Sequence, residues 1–202
     1  MKLPVIRAAI AAALLTIAPA SVARDTAFPA MSEEALAPKT APKGYDVTVI
    51  VFSDYGCPYC KQLHGTLVQL LARDPKVRIV WRDWPIFGEP SLMAARAAIA
   101  SQWQGKHAAF NAAMFAQPGR VTEASVQAAA KAAGVDWARL QKDIKTRAKE
   151  IDTMIGRSNA GAKALEFQGT PGLLIGNARF GGAASLSQLL DAVAQARKAG
   201  VG

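Results

Sequence analysis

The chain has 202 residues, 51% of them hydrophobic, and carries a formal net charge of +9 at pH 7. This length suits one domain with a substantial core, with or without an insertion. Basic and acidic residues are interleaved and no Lys/Arg block stands out, so the composition argues against a nucleic-acid-binding protein.

The first 23 residues have the pattern of a secretory signal peptide. Lys2 and Arg7 give a positive start, and residues 8–17 form an apolar run that is too short to span a bilayer. We expect cleavage after Ala23, with an uncleaved apolar anchor as the alternative. The chain after the leader has no apolar run of membrane-spanning length. We therefore expect a periplasmic protein that is not inserted in the membrane, in a compartment where disulfides persist.

The next segments predict a lead-in and a βαβ unit. Residues 24–44 are rich in Ala and Pro and predict an extended lead-in, with a short helix around Ser32–Ala37 as an option. The domain is expected to span residues 45–202. It begins with a buried strand at Tyr45–Phe52, a helix and a second strand at Val77–Trp81. This order indicates a right-handed βαβ unit with parallel strands.

A helical block follows the connector at residues 84–90. The predicted segments run from residue 91 to 104, from His107 to Ala116, from a Thr122 cap to Gly134, and from an Asp136 cap to about Glu166. Gly156 and Gly161 are expected to kink or interrupt the last of them. A β pattern then returns, with short strands at residues 173–175 and 178–180, a Gly-Asn turn between them, and a final helix capped by Ser185.

The only two cysteines, Cys57 and Cys60, lie at the predicted junction between the first strand and the first helix. Haem attachment would need His at position 61, where the chain has Lys61. A structural zinc site needs about four ligands, and only His64 and His107 could join the cysteines. A structural disulfide would close a very short loop. The context favours a redox-active dithiol, because a helix N-terminus stabilises a thiolate. Metal binding and a structural disulfide remain as alternatives.

The positions predict different roles for the two sulfurs and their neighbours. Cys57 is expected to be the attacking and attacked sulfur, whereas Cys60 is expected to be more buried and to resolve the mixed disulfide. Pro58 suits the first helical turn, and Tyr59 is expected at the rim of the site. Asp54 either caps the turn or relays protons.

Several further side chains have two interpretations. His64 either tunes the thiolate or is solvated, and His107 is predicted on a helix surface. Trp84 and Phe87 either belong to the core or line an apolar groove for unfolded substrate. Pro171 could follow a cis bond, but the local sequence by itself favours a trans proline at the start of an edge strand.

Four motifs together resemble the DsbA-like thiol–disulfide oxidoreductases. They are Phe52-x-Asp54-x-x-Cys57-Pro58-Tyr59-Cys60, Trp84-Pro85-Ile86-Phe87-Gly88, Ser91-x-x-Ala94-Ala95 and Gly169-Thr170-Pro171. The match covers about residues 45–200. It implies an α/β, thioredoxin-like fold with a helical insertion at about residues 88–166, between the βαβ and ββα halves. It also implies a cis Pro171 that, with Thr170, holds the substrate.

The Pro58-Tyr59 dipeptide and Thr170 resemble the isomerase/reductase side of the family and its suppressor of copper sensitivity protein C group. The oxidase DsbA carries Pro-His between its cysteines. Many members bury an acid in the strand before the motif, but residues 47–52 contain none. Asp54 is then the only nearby acid, so proton transfer at Cys60 is left unassigned.

The expected function is that of a thiol–disulfide oxidoreductase that forms, reduces or reshuffles disulfides in secreted proteins through Cys57 and Cys60. We expect no cofactor and no resident metal. The expected partners are cysteine-containing protein substrates and a membrane redox partner that resets the pair. The alternative is a copper- or zinc-binding protein that uses the same two cysteines as ligands.

Overall fold

The computed structural model describes residues 28–201. The predicted signal peptide, residues 1–23, lies outside the described residues. Among the helices of residues 28–201, none combines the length and the apolar character needed to cross a membrane.

A mixed five-stranded sheet runs through the middle of the molecule in the order β1-β3-β2-β4-β5. Strands β2 and β3 are parallel, with Val47 opposite Val77 and Ser53 opposite Asp83, and the other neighbouring pairs are antiparallel. Every residue of β2 and β3 is buried, as expected for central strands covered on both faces. The strands are β1 (Lys39–Thr40), β2 (Val47–Ser53), β3 (Val77–Asp83), β4 (Gly172–Ile175) and β5 (Ala178–Gly181).

Helices surround the sheet, and five of them, α3 to α7, lie between β3 and β4 in the chain. The helices of the described part of the chain are α1 (residues 28–32), α2 (Pro58–Arg73), α3 (Glu89–Ser101), α4 (His107–Ala116), α5 (Glu123–Ala132), α6 (Trp137–Thr146), α7 (Ala148–Ala164) and α8 (Leu186–Ala199). The predicted caps are confirmed. Thr122, Asp136 and Ser185 each accept a hydrogen bond from a backbone N–H in the first turn of the following helix.

The prediction of one long helix after Asp136 is wrong, because α6 and α7 share its range. They meet at Arg147, whose φ of −112° and ψ of 20° are not helical. Gly156 and Gly161 lie within α7 without interrupting it. The glycine at position 161 allows close packing rather than a kink, since an added Cβ would lie 3.1 Å from Met31 Sδ.

The lead-in is attached to the sheet. Its helical turn comes at residues 28–32 rather than at the expected Ser32–Ala37, where the backbone bends and turns. Strand β1 pairs with β3, and Trp81 Nε1 donates a hydrogen bond to Thr40 Oγ1 at 3.1 Å. The segment therefore closes one edge of the sheet, next to the buried face of β3.

Two hydrophobic cores cover the two faces of the sheet. One core contains Val47, Val49 and Val51 of β2 and the apolar sides of α2 and α8. The other contains Ile50 and Phe52 of β2, together with α1 and the inserted helices. Alternate residues of a strand point to opposite faces, so one strand supplies both cores. Because β2 and β3 are parallel, their carboxyl ends meet at the same edge of the sheet, where α2 begins.

Candidate active site

Cys57 immediately precedes α2 and has an extended backbone, with φ −88° and ψ 120°. Pro58 lies in the first turn, and the Cys57 carbonyl accepts hydrogen bonds from the N–H groups of Cys60 and Lys61 at 3.1 and 3.2 Å. The N-terminal end of a helix is electropositive and favours a thiolate there. The predicted strand-to-helix position of Cys57 is confirmed.

Both cysteines are free thiols in this structure, and both are buried. The exposed fraction is 3% for Cys57 and 2% for Cys60, so the expected difference in burial is hardly present. The loop that contains Thr170 covers Cys57, whose Sγ donates a hydrogen bond to the Thr170 carbonyl at 3.3 Å.

The peptide bond between Thr170 and Pro171 is cis. The expectation from the local sequence alone, a trans proline, is therefore wrong, and the one implied by the family resemblance is right. Antiparallel pairing of β2 with β4 places Gly172 opposite Phe52. This register brings the Thr170 backbone next to Cys57, although the two residues are 113 positions apart.

Asp54 is 2% exposed, and its carboxylate is saturated with hydrogen bonds. Oδ1 accepts from the Gly56 N–H and from the Ser91 hydroxyl, both at 2.6 Å. Oδ2 accepts from the N–H groups of Ile86 and Phe87 at 2.6 and 3.1 Å. This geometry agrees with the turn-capping interpretation of Asp54, extended to two further segments.

The Cys60 thiol lies in the first turn of α2 and accepts a backbone hydrogen bond. The Asp54 N–H donates to Cys60 Sγ at 3.5 Å. Burial raises the pKa of Cys60 well above its usual range, and the hydrogen bond from the Asp54 N–H only partly opposes this effect. Cys60 is therefore a protonated thiol at neutral pH.

Sequence reasoning missed Asp83, the last residue of β3. It is 3% exposed, and burial raises the pKa of its carboxyl to about 7, with a further contribution from the charge of Asp54. Burial, Asp83, Asp54 and Cys60 all raise the pKa of the Tyr55 hydroxyl, which places the four side chains in one buried cluster. Asp54 is thus not the only nearby acid.

The Asp83 carboxyl and the Tyr55 hydroxyl influence each other but form no hydrogen bond in this structure. Asp83 Oδ2 and the Tyr55 hydroxyl have no hydrogen-bond partner among residues 28–201, although each group shifts the pKa of the other. The sequence carries a signal for Asp83: an acid ends the second of two parallel buried strands. Parallel pairing puts that acid opposite Ser53, beside the turn that leads to Cys57.

The rim of the site is apolar. Tyr59 is 64% exposed, as predicted for a rim residue, and Phe87 and Ile86 are 55% and 43% exposed. Trp84 instead belongs to the core, where its Nε1 donates to Asn159 Oδ1 at 3.1 Å. Of the two aromatic residues considered for a substrate groove, the surface carries only Phe87.

The two histidines are packed against aromatic rings. The prediction that His107 lies on a helix surface is wrong, since α4 packs towards α2 and buries it beside Trp81, with ring centroids 6.3 Å apart. Burial lowers the pKa of His107 to about 3. His64 is half-buried and stacked on Phe115 at 5.0 Å, and burial lowers its pKa too. Within residues 28–201 no group of three or more His, Cys, Asp or Glu side chains is arranged to hold a metal ion.

A Cys-X-X-Cys pair between a buried strand and a helix, facing a cis-proline loop, defines a class of dithiol proteins. Residues 43–195, well over half of the chain, match the family model described as Thioredoxin. The chain belongs to the thioredoxin family. The predicted fold, an α/β thioredoxin-like domain with a helical insertion, is confirmed.

Several solved structures of thioredoxin-like proteins are similar to this chain. A thioredoxin-like oxidoreductase from Silicibacter pomeroyi is 41% identical, with a TM-score of 0.80 over 84% of this chain and 96% of that one. The thiol-disulfide exchange protein alpha-DsbA2 from Wolbachia pipientis is 29% identical, with a TM-score of 0.80 over 87% and 96%. The catalytic domain of Proteus mirabilis ScsC is 22% identical, with a TM-score of 0.73 over 88% and 98%, and shares the fold. The predicted resemblance to DsbA-like proteins near the suppressor of copper sensitivity group is confirmed.

The curated relatives are larger proteins. The Na(+)/H(+) antiporter NhaA 1 of Salinispora arenicola is 28% identical over 157 residues, which are 77% of this chain and 24% of the antiporter. The chain therefore spans about a quarter of the length of the curated relatives it matches.

Proposed function

We propose that the protein is a thiol–disulfide oxidoreductase that acts on cysteine-containing proteins in the periplasm. The observation that carries the proposal is the position of Cys57 Sγ, at the N-terminus of α2 and 3.3 Å from the Thr170 carbonyl. The predicted signal peptide supports the compartment. The Wolbachia thiol-disulfide exchange protein, similar over most of both chains, supports the reaction type.

In the oxidising direction a substrate thiolate attacks Cys57 Sγ of the Cys57–Cys60 disulfide. The S–S bond breaks, Cys60 leaves as a thiolate, and a mixed disulfide links Cys57 to the substrate. A second substrate thiolate then attacks the substrate sulfur and releases Cys57. The substrate loses two electrons and two protons, and the protein ends with two thiols. Reduction uses the same steps in reverse. In reshuffling, the Cys57 thiolate attacks a substrate disulfide, and a different substrate thiolate then attacks the mixed disulfide and releases Cys57, with no net transfer of electrons.

Thr170 and Pro171 hold the substrate in this proposal. The cis bond presents the Thr170 backbone beside Cys57. An extended substrate segment can pair with that backbone as an additional strand, which places its cysteine against Cys57 Sγ. Thr170 is only half-buried, so part of it is accessible to such a segment.

Asp83 is the acid we assign to proton exchange at Cys60. Cys60 must gain a proton when it leaves as a thiolate and lose one when it resolves a mixed disulfide. A carboxyl with a pKa of about 7 holds or releases a proton at neutral pH, as a general acid and base requires. The Tyr55 hydroxyl belongs to the same cluster, since burial and the charges of both Asp83 and Cys60 raise its pKa.

Two features bear on the direction of electron flow. The Pro58-Tyr59 dipeptide and Thr170 favour a reductase or isomerase, whereas the short lead-in favours a monomeric oxidase. A membrane redox partner is needed to reset the pair in either case. The reduction potential, measured together with reactivation of scrambled ribonuclease, separates the two. An oxidising potential without reactivation identifies an oxidase.

The proposed function is tested with two single-cysteine variants and insulin as substrate. Cys57→Ser is expected to abolish insulin reduction. Cys60→Ser is expected to accumulate a mixed disulfide, visible on a non-reducing gel, because the resolving thiol is lost. Wild-type rates in Cys57→Ser would overturn the proposal. Stoichiometric metal in the purified protein, with no exchange activity, would favour the copper- or zinc-binding alternative.

A further inference from the structure

Asp54 connects three separate segments of the chain through one buried carboxylate. Gly56 belongs to the turn before Cys57, Ile86 belongs to the connector after β3, and Ser91 belongs to the first turns of α3. Each donates to Asp54 at 2.6 Å. The connector is thereby tied to the active-site turn, although more than 30 residues separate them in sequence.

The segment held by Asp54 is the apolar part of the rim. We call Ile86, Phe87 and Tyr59 the apolar platform. All three residues are at least 43% exposed. Ile86 and Phe87 are neighbours in the connector, and Tyr59 lies in the first turn of α2, directly after the active-site turn. Large apolar residues exposed next to a site mark a binding surface. The start of the connector is also held in place, because Trp84 is buried and donates a hydrogen bond to Asn159 of α7.

The active-site turn lies against this platform with no spare room. A Cβ added to Gly56 would lie 2.8 Å from Ser91 Oγ and 3.5 Å from Phe87 Cβ. The separation between the turn and Phe87 is therefore set by direct contact and by the Asp54 hydrogen bonds. A shift of the connector would move Phe87 relative to Cys57.

We propose that Asp54 is a positioning residue that holds the apolar platform at a fixed place beside Cys57, and that the platform takes apolar side chains flanking a cysteine of an extended polypeptide. The inference rests on the proposed function and names the substrate class for it. Holding the connector in advance lowers the conformational entropy lost on binding, so the effect falls on substrates that touch the platform. A small disulfide that reaches only Cys57 gains little from it.

A carboxylate is needed because all four groups around it are donors. In Asp54→Asn one acceptor oxygen becomes an NH₂ group, which would face at least one N–H in either amide orientation. The variant therefore loses the hydrogen bonds either to the active-site turn and Ser91 or to the connector. Ser91→Ala is milder, since it removes one of the four hydrogen bonds.

The test compares two probes, a cysteine peptide with Phe and Leu next to the cysteine, and glutathione. The measured quantity is the ratio of kcat/KM for the peptide to kcat/KM for glutathione. Wild type is expected to prefer the peptide. Asp54→Asn is expected to lower the ratio about tenfold, mainly through KM of the peptide, which is the scale of one lost interface anchor. Phe87→Ser is expected to give the same change. The matched control, Asp136→Asn, removes a helix-capping carboxylate of the insertion and is expected to leave the ratio unchanged.

The outcomes separate the two proposals. An unchanged ratio in folded Asp54→Asn, or wild type without preference for the apolar peptide, overturns this inference and leaves the oxidoreductase proposal standing. Wild type that exchanges with neither probe overturns both. If Asp54→Asn does not fold, Ser91→Ala decides the question. A fall of about threefold in its ratio supports the inference, and no change contradicts it.

Discussion

At the residue scale, the site concentrates buried polar atoms that have few partners. Asp83 Oδ2, the Tyr55 hydroxyl and Thr170 Oγ1 are all buried, and none has a hydrogen-bond partner among residues 28–201. Burying such groups costs free energy, and for a carboxyl the cost falls on the charged form. The molecule therefore carries a pH-dependent penalty next to its redox pair.

Substitution of Asp83 is expected to remove this penalty. The folded protein keeps the Asp83 proton up to about pH 7, whereas the unfolded chain loses it near 3.8. The folded state binds more protons in this window, so the free energy of unfolding falls as pH rises from about 4 to 7. The slope is at most about 1.4 kcal/mol per pH unit. Urea unfolding of Asp83→Asn and wild type at pH 5 and pH 8 measures it. We expect the stability of the variant relative to wild type to rise with pH.

The control is Asp152→Asn, because Asp152 has an exposed side chain paired with Arg96. Its stability relative to wild type should be nearly the same at the two pH values. If the free energy of unfolding of Asp83→Asn differs from that of wild type by the same amount at pH 5 and pH 8, Asp83 has an ordinary pKa in the folded protein.

At the element scale, glycines set how closely segments approach the site. Gly172 begins β4 directly after the cis proline, and an added Cβ would lie 2.7 Å from the Phe167 ring. That ring cannot easily move, since it is buried and packs 5.6 Å from Phe52. Gly156, by contrast, is exposed in α7 with nothing within 4 Å of an added Cβ.

Alanine at these two glycines is expected to have opposite effects on stability. Gly172→Ala should cost about 1–3 kcal/mol, because the overlap must be relieved by moving a packed core. Gly156→Ala should add about 0.5–1 kcal/mol, since alanine loses less conformational entropy in a helix. Chemical denaturation of both variants against wild type checks the signs. A neutral Gly172→Ala would mean that the Phe167 contact is looser than described.

At the scale of the whole molecule, the lead-in connects the sheet to the insertion. Glu33 accepts from Arg78 of β3 at 2.6 Å, and Glu34 accepts from Arg157 of α7 at 2.7 Å. Met31 is buried in the core that lies between the sheet and the inserted helices. Residues 28–44 thus pack as part of the domain on the side away from α2 and α8.

The free energy of unfolding should report this integration. Met31→Ala is expected to lower it by about 2–4 kcal/mol, through lost apolar burial and a cavity over Gly161. Val68→Ala is the matched control, because Val68 is 54% exposed, and it should change stability little. Urea denaturation followed by circular dichroism measures both. A Met31→Ala protein as stable as wild type would show that packing of the lead-in contributes nothing to the stability of the domain.

Local chemistry explains what could be predicted from the sequence. Thr122, Asp136 and Ser185 cap their helices through groups three residues away, so each start is written in a short stretch of chain. The strand-to-helix position of Cys57 follows likewise from an apolar run and a helical period on either side of it. These features need no knowledge of distant contacts.

The sequence by itself therefore determined the Cys57–Cys60 dithiol at a helix start, the βαβ and ββα halves and most helix boundaries. The place of Thr170 beside Cys57 was implied by the family resemblance, whereas the local residues favoured a trans proline. Only the tertiary structure decided that Asp83 is a buried acid in a cluster with Tyr55 and Asp54, and that His107 is buried. The physical reason is that each depends on segments far apart in the chain. Register between β2 and β4, or burial under α4, cannot be read from the residues next to the side chain concerned.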